Sequence, residues 1–137
     1  MTKPSRILVD TNVLSDVLYA DAQWNEWSSG QLIKYAGQLA VNPMIYAEIC
    51  YRATSPAQAD AVLDRLGLEL LELPREALYL AAKTYQIFRK RGGIKSSPLA
   101  DFFIGAHAQS LGIPILTRDK GRYPTYFPKV PLICPAS

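Results

Sequence analysis

A chain of 137 residues that is 49% hydrophobic and 20% charged has the size and balance of one ordinary globular domain spanning 1–137, and this apolar content excludes disorder. No apolar run approaches the ~20 residues of a membrane span, and the start MTKPSRILVD lacks the apolar stretch and cleavage site of a secretory signal. The expectation is a cytoplasmic protein without membrane contact, whose net charge of +3 permits a polyanionic partner but does not demand one.

In chain order, the first element is a strand over 6–10, an apolar run that stops on Asp10 in RILVDTNVL. A carboxylate there is costly to desolvate unless something compensates it. The next stretch, DAQWNEWSSGQLIKYAG, places Trp24 and Trp27 either in the core side of a helix or on a protein-binding groove. A strand over 39–41 leads into NPMIYAEICYRA, a helix starting after Asn42 with Pro43 in its first turn and Glu48 embedded among apolar neighbours. A strand over 68–72 follows. The segment REALYLAAKTYQIFRKRGG then carries a helical stripe of Leu78, Ala81, Tyr85 and Phe88, with basic residues suited to its C-terminal dipole and Gly92-Gly93 to its stop.

SSPLADFFIGAHAQSLGIP reads as a helix with Ser97 as N-cap, Pro98 at its first position and Gly112 past its end. It is apolar nearly all round, which marks a buried helix and makes Asp101 in its first turn a second anomaly. His107, the single histidine, reads as a structural residue of that helix. Strands over 114–116 and 130–133 complete the chain, the first ending close to Asp119. The two cysteines, Cys50 and Cys134, sit apart in apolar surroundings and are expected to be buried thiols. Strands alternating with helices define an α/β fold with a parallel sheet.

Taken singly, Asp10, Glu48, Asp101 and Asp119 are each explained as a helix cap or ion-pair partner. The alternation suggests more, because ligands of an open parallel sheet bind outside the carboxyl ends of the strands, where helices also begin. Carboxylates converging there raise one another's pKa unless a cation is present. Oxygen ligands without nearby histidine or cysteine favour Mg²⁺ or Mn²⁺ over zinc. Such ions commonly take up substrate phosphate oxygens, and the basic clusters FRKRGGIK and TRDKGRY then become candidate backbone contacts as well as solvated loops.

Four stretches in this order, ILVDTNVL, the embedded Glu48, PLADFFIGAHA and ILTRD, resemble the PIN-domain ribonucleases over nearly the whole chain. Within that family the chain looks like the VapC-type toxins of toxin–antitoxin modules. The resemblance implies a three-layer α/β/α sandwich with a mainly parallel sheet. It implies that Asp10, Glu48, Asp101 and Asp119 bind Mg²⁺ or Mn²⁺ for RNA phosphodiester hydrolysis. Asp10 and Asp101 would be direct ligands, with Glu48 and Asp119 binding directly or through water. Asn12 and Thr117 match positions that support the acids by hydrogen bonds. Arg91, Lys95, Arg118 and Lys120 become candidates to hold the RNA backbone, and a cognate antitoxin and a homodimer become the expected partners. Lys120, Gly121 and Arg122 stand where some relatives carry another acid.

Two other readings compete with this one. A PIN-like module could bind RNA or protein without cleaving. A phosphatase with an aspartyl-phosphate intermediate also begins with an Asp after a strand, but that pattern has a second Asp where this chain has Asn12. No GxGxxG turn follows the first strand and RKRGGIK is not a P-loop, which disfavours nucleotide binding.

Overall fold

The computed structural model describes residues 5–93 and 99–136. Five short strands, β1 (Ile7–Val9), β2 (Leu39–Val41), β3 (Glu69–Leu70), β4 (Ile115–Leu116) and β5 (Leu132–Ile133), pair in parallel in the order β3-β2-β1-β4-β5. Seven helices lie between and around them among the described residues: α1 (Thr11–Leu18), α2 (Asn25–Lys34), α3 (Pro43–Arg52), α4 (Pro56–Leu66), α5 (Arg75–Lys90), α6 (Ala100–Leu111) and α7 (Tyr123–Tyr126). The chain steps one way from β1 to β3, then returns past β1 to β4 and β5. Right-handed crossovers therefore put α1–α4 on one face and α5–α6 on the other, giving the expected three layers.

Central strands of such a sheet are covered on both faces and read as unbroken apolar runs. Ile7, Leu8 and Val9 of β1, Leu39 to Val41 of β2, and Ile115 and Leu116 of β4 are all buried. The edge strand β3 pairs on one side only, and both its residues are exposed, with Glu69 held at its carboxylate by the Arg6 guanidinium through two 2.9 Å hydrogen bonds.

Local signals account for most helix ends. Asn42 caps α3, its Oδ1 accepting the Ile45 N–H at 3.0 Å, with Pro43 in the first turn as expected. Gly112 ends α6 at φ 66°, a left-handed conformation that glycine adopts without steric cost. Ser97 and Pro98, expected to begin that helix, lie outside the described residues, which resume at Leu99. α6 is buried through Phe102, Ile104, Gly105, Ala106, His107 and Ala108. Its Gly105 is required by packing, since a Cβ there would run into the Phe127 ring.

Three expectations need correction. Cys50 is exposed and Cys134 only half-buried, so neither is a buried thiol. Glu48 is exposed rather than embedded, because α3 turns only Ile45 and Ile49 inward although most of its residues are apolar. In α5 the buried stripe is Ala77, Ala81, Thr84 and Phe88, which leaves Leu78 exposed.

Candidate functional site

The sheet order reverses direction between β1 and β4, and that switch point is where open α/β sheets bind ligands. Asp10 follows β1 directly, and the 117–119 segment follows β4. The backbone ladder extends to this rim, with the Asp10 N–H donating to the Leu116 carbonyl at 2.9 Å.

Asp10 is buried and serves as N-cap of α1, its Oδ1 accepting the Thr11 N–H at 2.8 Å. Its Oδ2 lies 3.1 Å from the Thr117 hydroxyl and accepts the Tyr123 hydroxyl at 3.0 Å. The Thr117 oxygen accepts from the Asn12 side-chain amide at 3.0 Å and from the Asp119 N–H at 3.2 Å. It also lies 2.9 Å from the Asp119 carbonyl and 3.5 Å from Asn12 Oδ1, so with Asp10 its one proton has three nearby acceptors. Asn12 Oδ1 accepts the Arg118 N–H at 3.2 Å. Asn12 and Thr117 thus hold the end of β4 against Asp10.

The other three acids come from separate elements. Glu48, on α3, accepts the Thr11 hydroxyl at 2.8 Å, so Thr11 donates both to the buried carboxylate of Asp10 and to the exposed one of Glu48. Asp101 lies half-buried in the first turn of α6, and Asp119 is exposed beyond β4. Burial pushes the Asp10 carboxyl above its usual range against the pull of its three hydrogen bonds, and the Glu48 charge adds to the effect. Burial, then the charges of Asp10 and Glu48, push Asp101 up to about 6; Asp119 adds to this and Arg122 opposes it. The Tyr123 hydroxyl is pushed well above its ordinary value by burial and by the same acids, which keeps it protonated as a donor to Asp10.

The four acids therefore share one electrostatic neighbourhood. Among the described residues, no three acidic, histidine or cysteine side chains stand close enough together to ligate one ion as placed. The donor chemistry still fits a hard divalent cation. The acids are oxygen donors, the charges of Asp10, Glu48 and Asp119 bear on Asp101, and His107 is occupied elsewhere, buried with its Nδ1 3.2 Å from the Asn42 side-chain amide.

The basic candidates separate. Lys120 is exposed beside Asp119, and Arg91 is exposed with its guanidinium 5.7 Å from the centre of the Tyr126 ring. Lys95 lies outside the described residues. Arg118 turns to Asp16 of α1, its Nε donating to both carboxylate oxygens at 3.0 and 2.8 Å. The two tryptophans also divide: Trp27 packs against the core, whereas Trp24 lies 5.7 Å from the Arg118 guanidinium. An open cleft between α1 and α3, lined by Leu14, Leu18, Met44, Ala47 and Tyr19, runs up to Thr11 and Glu48.

Sequence reasoning missed Tyr123 and Asp16. Tyr123 reaches Asp10 across 113 positions and carries no local signal. Asp16 had one: it interrupts the apolar face formed by Val13, Leu14 and Val17 of α1.

An acid-rimmed switch point on a five-stranded parallel sheet is the arrangement of an α/β protein built to work at the carboxyl ends of its strands. The PIN domain family profile matches residues 7–127, and the chain belongs to that family, whose members are typically nucleases. A search of curated proteins returned no significant match. Among solved structures, the chain is similar to one of VapBC2 from Rickettsia felis bound to a promoter DNA fragment, with TM-score 0.70 and 16% identity over 93% of this chain and 97% of that one. It is similar to one of VapBC-5 from Mycobacterium tuberculosis, a member of the VapBC toxin–antitoxin family, with TM-score 0.62 and 23% identity over 96% of this chain and 100% of that one. It is also similar to one of FitAcB from Neisseria gonorrhoeae, with TM-score 0.65 and 22% identity over 93% and 96%. These likenesses establish the fold. No helix among the described residues is long and apolar enough to cross a membrane.

Proposed function

We propose that the chain, acting over 1–137 as one domain, is a Mg²⁺- or Mn²⁺-dependent endoribonuclease and the toxin of a toxin–antitoxin pair. The observation that carries this reading is the state of Asp101, pushed up to about 6 by burial and by the charges of Asp10, Glu48 and Asp119 together. A half-buried acid at the rim whose charged form is disfavoured by three neighbouring carboxylates calls for a cation.

Asp10 and Asp101 would hold the ion, with Glu48 and Asp119 joining directly or through water. When bound, the ion supplies an acidified water for attack on the phosphodiester and offsets the developing charge. The protein does the rest by orientation. Thr11, Thr117 and Tyr123 fix the Asp10 carboxylate, so that its rotamer is set before any ligand arrives. Thr11 likewise fixes Glu48. Arg91, Lys95 and Lys120 are the cations assigned to the RNA backbone. The antitoxin is the expected protein partner, in keeping with the toxin–antitoxin proteins among the similar structures, and a second copy of the chain is the expected homodimer partner. The protein is assigned to the cytoplasm, where its RNA would be.

Cleavage of a mixed single-stranded RNA with Mg²⁺ or Mn²⁺ tests the reading. Wild type should cleave, and Asp10→Ala and Asp101→Ala should not. Equal cleavage by all three would remove the catalytic assignment, and equal RNA retention without cleavage would favour a binding module.

A further inference from the structure

α1 carries a second buried carboxylate that the proposed reaction does not use. Asp16 is only 2% exposed, more deeply buried than Asp10. Its Oδ2 accepts the Ser28 hydroxyl from α2 at 2.7 Å, and both its oxygens accept the Arg118 Nε–H. The Arg118 guanidinium is partly covered, with 30% of its side chain exposed, and it lies near the Trp24 ring. Arg118 is also the residue between Thr117 and Asp119, and its own N–H is bound by Asn12 Oδ1. The segment that carries the Asp119 carboxylate is therefore tied to α1 at two points, by backbone to Asn12 and by side chain to Asp16.

We propose that Asp16 and Arg118 form a positioning pair, which fixes the 117–119 segment so that Asp119 and Thr117 face Asp10 in the geometry that accepts a divalent cation. The proposal rests on the metal-site reading above. It moves Arg118 from the RNA backbone, where sequence placed it, to the support of the acids. A lysine could not do the same work, since the guanidinium offers a planar Nε–H donor to the carboxylate and a flat face to Trp24. Surrounding contacts of this kind typically set metal affinity by tenfold to a hundredfold.

The test compares wild type, Asp16→Asn, Arg118→Met and the double variant. Mn²⁺ uptake is measured by electron paramagnetic resonance, amide hydrogen exchange at Arg118 and Asp119 is measured by NMR, and far-ultraviolet circular dichroism controls for folding. The double variant leaves neither a carboxylate nor a guanidinium unpaired, so it keeps the test open if a single variant folds poorly.

Each variant should bind Mn²⁺ about tenfold more weakly than wild type, with the double variant no worse than either single one. Exchange at Arg118 and Asp119 should quicken while the β1 and β2 amides stay unchanged. With a short RNA, kcat should fall and KM should hold. Unaltered Mn²⁺ uptake in folded Asp16→Asn protein overturns the proposal, as does a rise in KM confined to Arg118→Met, the signature of a backbone contact. A wild type that takes up no Mn²⁺ removes the metal reading and this proposal with it, whereas intact wild-type uptake with intact variant uptake removes the proposal alone.

Discussion

The two ends of α1 each present a buried carboxylate, and they solve the same physical problem in opposite ways. Asp16, at the C-terminal end, has a cation supplied by the chain itself in Arg118, together with the Ser28 hydroxyl. Asp10, at the N-terminal end, is met by neutral donors from Thr11, Thr117 and Tyr123 and by the negative charge of Glu48. Burial costs both groups their hydration, but only one is neutralised internally. A carboxylate paired within the chain has its task complete on folding. One held in place by neutral donors, among other acids, is still short of a positive charge, and that deficit marks the candidate site.

The largest expected effect breaks the comparison at Asp10. Asp10→Asn keeps the shape and much of the hydrogen bonding but removes the charge, and RNA cleavage with Mn²⁺ should fall by about a thousandfold or more, the scale of losing an essential group. Residual cleavage within tenfold of wild type would show that the Asp10 end of α1 is as structural as the Asp16 end.

Asp16→Ala attacks the other end. It strands Arg118 and the Ser28 hydroxyl, and urea denaturation should register a loss of about 2 to 3 kcal/mol, below the range for fully buried pairs because Arg118 keeps some solvent contact. A loss under about 0.5 kcal/mol would mean the pair behaves as a surface ion pair. Gly105→Ala should cost less, about 1.5 kcal/mol by thermal or urea unfolding. It inserts a methyl group where α6 meets Phe127 without touching either carboxylate.

The strands of the sheet were readable because each is an apolar run bracketed by polar residues. Those over 39–41 fall on β2 residue for residue, whereas the run over 68–72 was too long, since an edge strand with one neighbour pairs only through Glu69 and Leu70. The rim positions of Asp10 and Asp119 followed from the same runs. What sequence could not give was rotational phase. The segment PMIYAEICYR is apolar on every side, so nothing in it says that Ile45 and Ile49 face inward while Glu48 and Cys50 face out. Tyr123 and the Asp16 to Arg118 bridge were hidden for another reason. They join residues 113 and 102 positions apart, and such pairings exist only after the sheet has assembled.

The smallest effect concerns pH and sharpens the contrast between Asp16 and the acids of the rim. Asp101 titrates near 6 in the folded, metal-free protein against 3.8 for the free group. Between those values the folded state holds more protons than the unfolded one, so this group makes stability fall as pH rises from about 4 to about 6, and the penalty stays constant above that. Asp10 acts in the same direction. Buried His107, whose pKa is lowered, opposes them: its contribution is complete above 6.5 and lost as pH falls below it. A single wild-type curve mixes these slopes, and Asp101→Asn separates them. Without divalent metal, the variant should be more stable than wild type at pH 7 by about 1 kcal/mol, a Tm rise of a few degrees, after allowance for the solvent contact of a half-buried group. That advantage should vanish at pH 4, where Asp101 is largely protonated in the folded wild type and the charge that Asn removes is no longer there. Saturating Mg²⁺ at pH 7 should reverse the order, since only wild type offers the complete set of acids to the ion. An advantage that survives at pH 4, or a Tm order that Mg²⁺ leaves unchanged, would mean that Asp101 carries no unmet charge and belongs with Asp16.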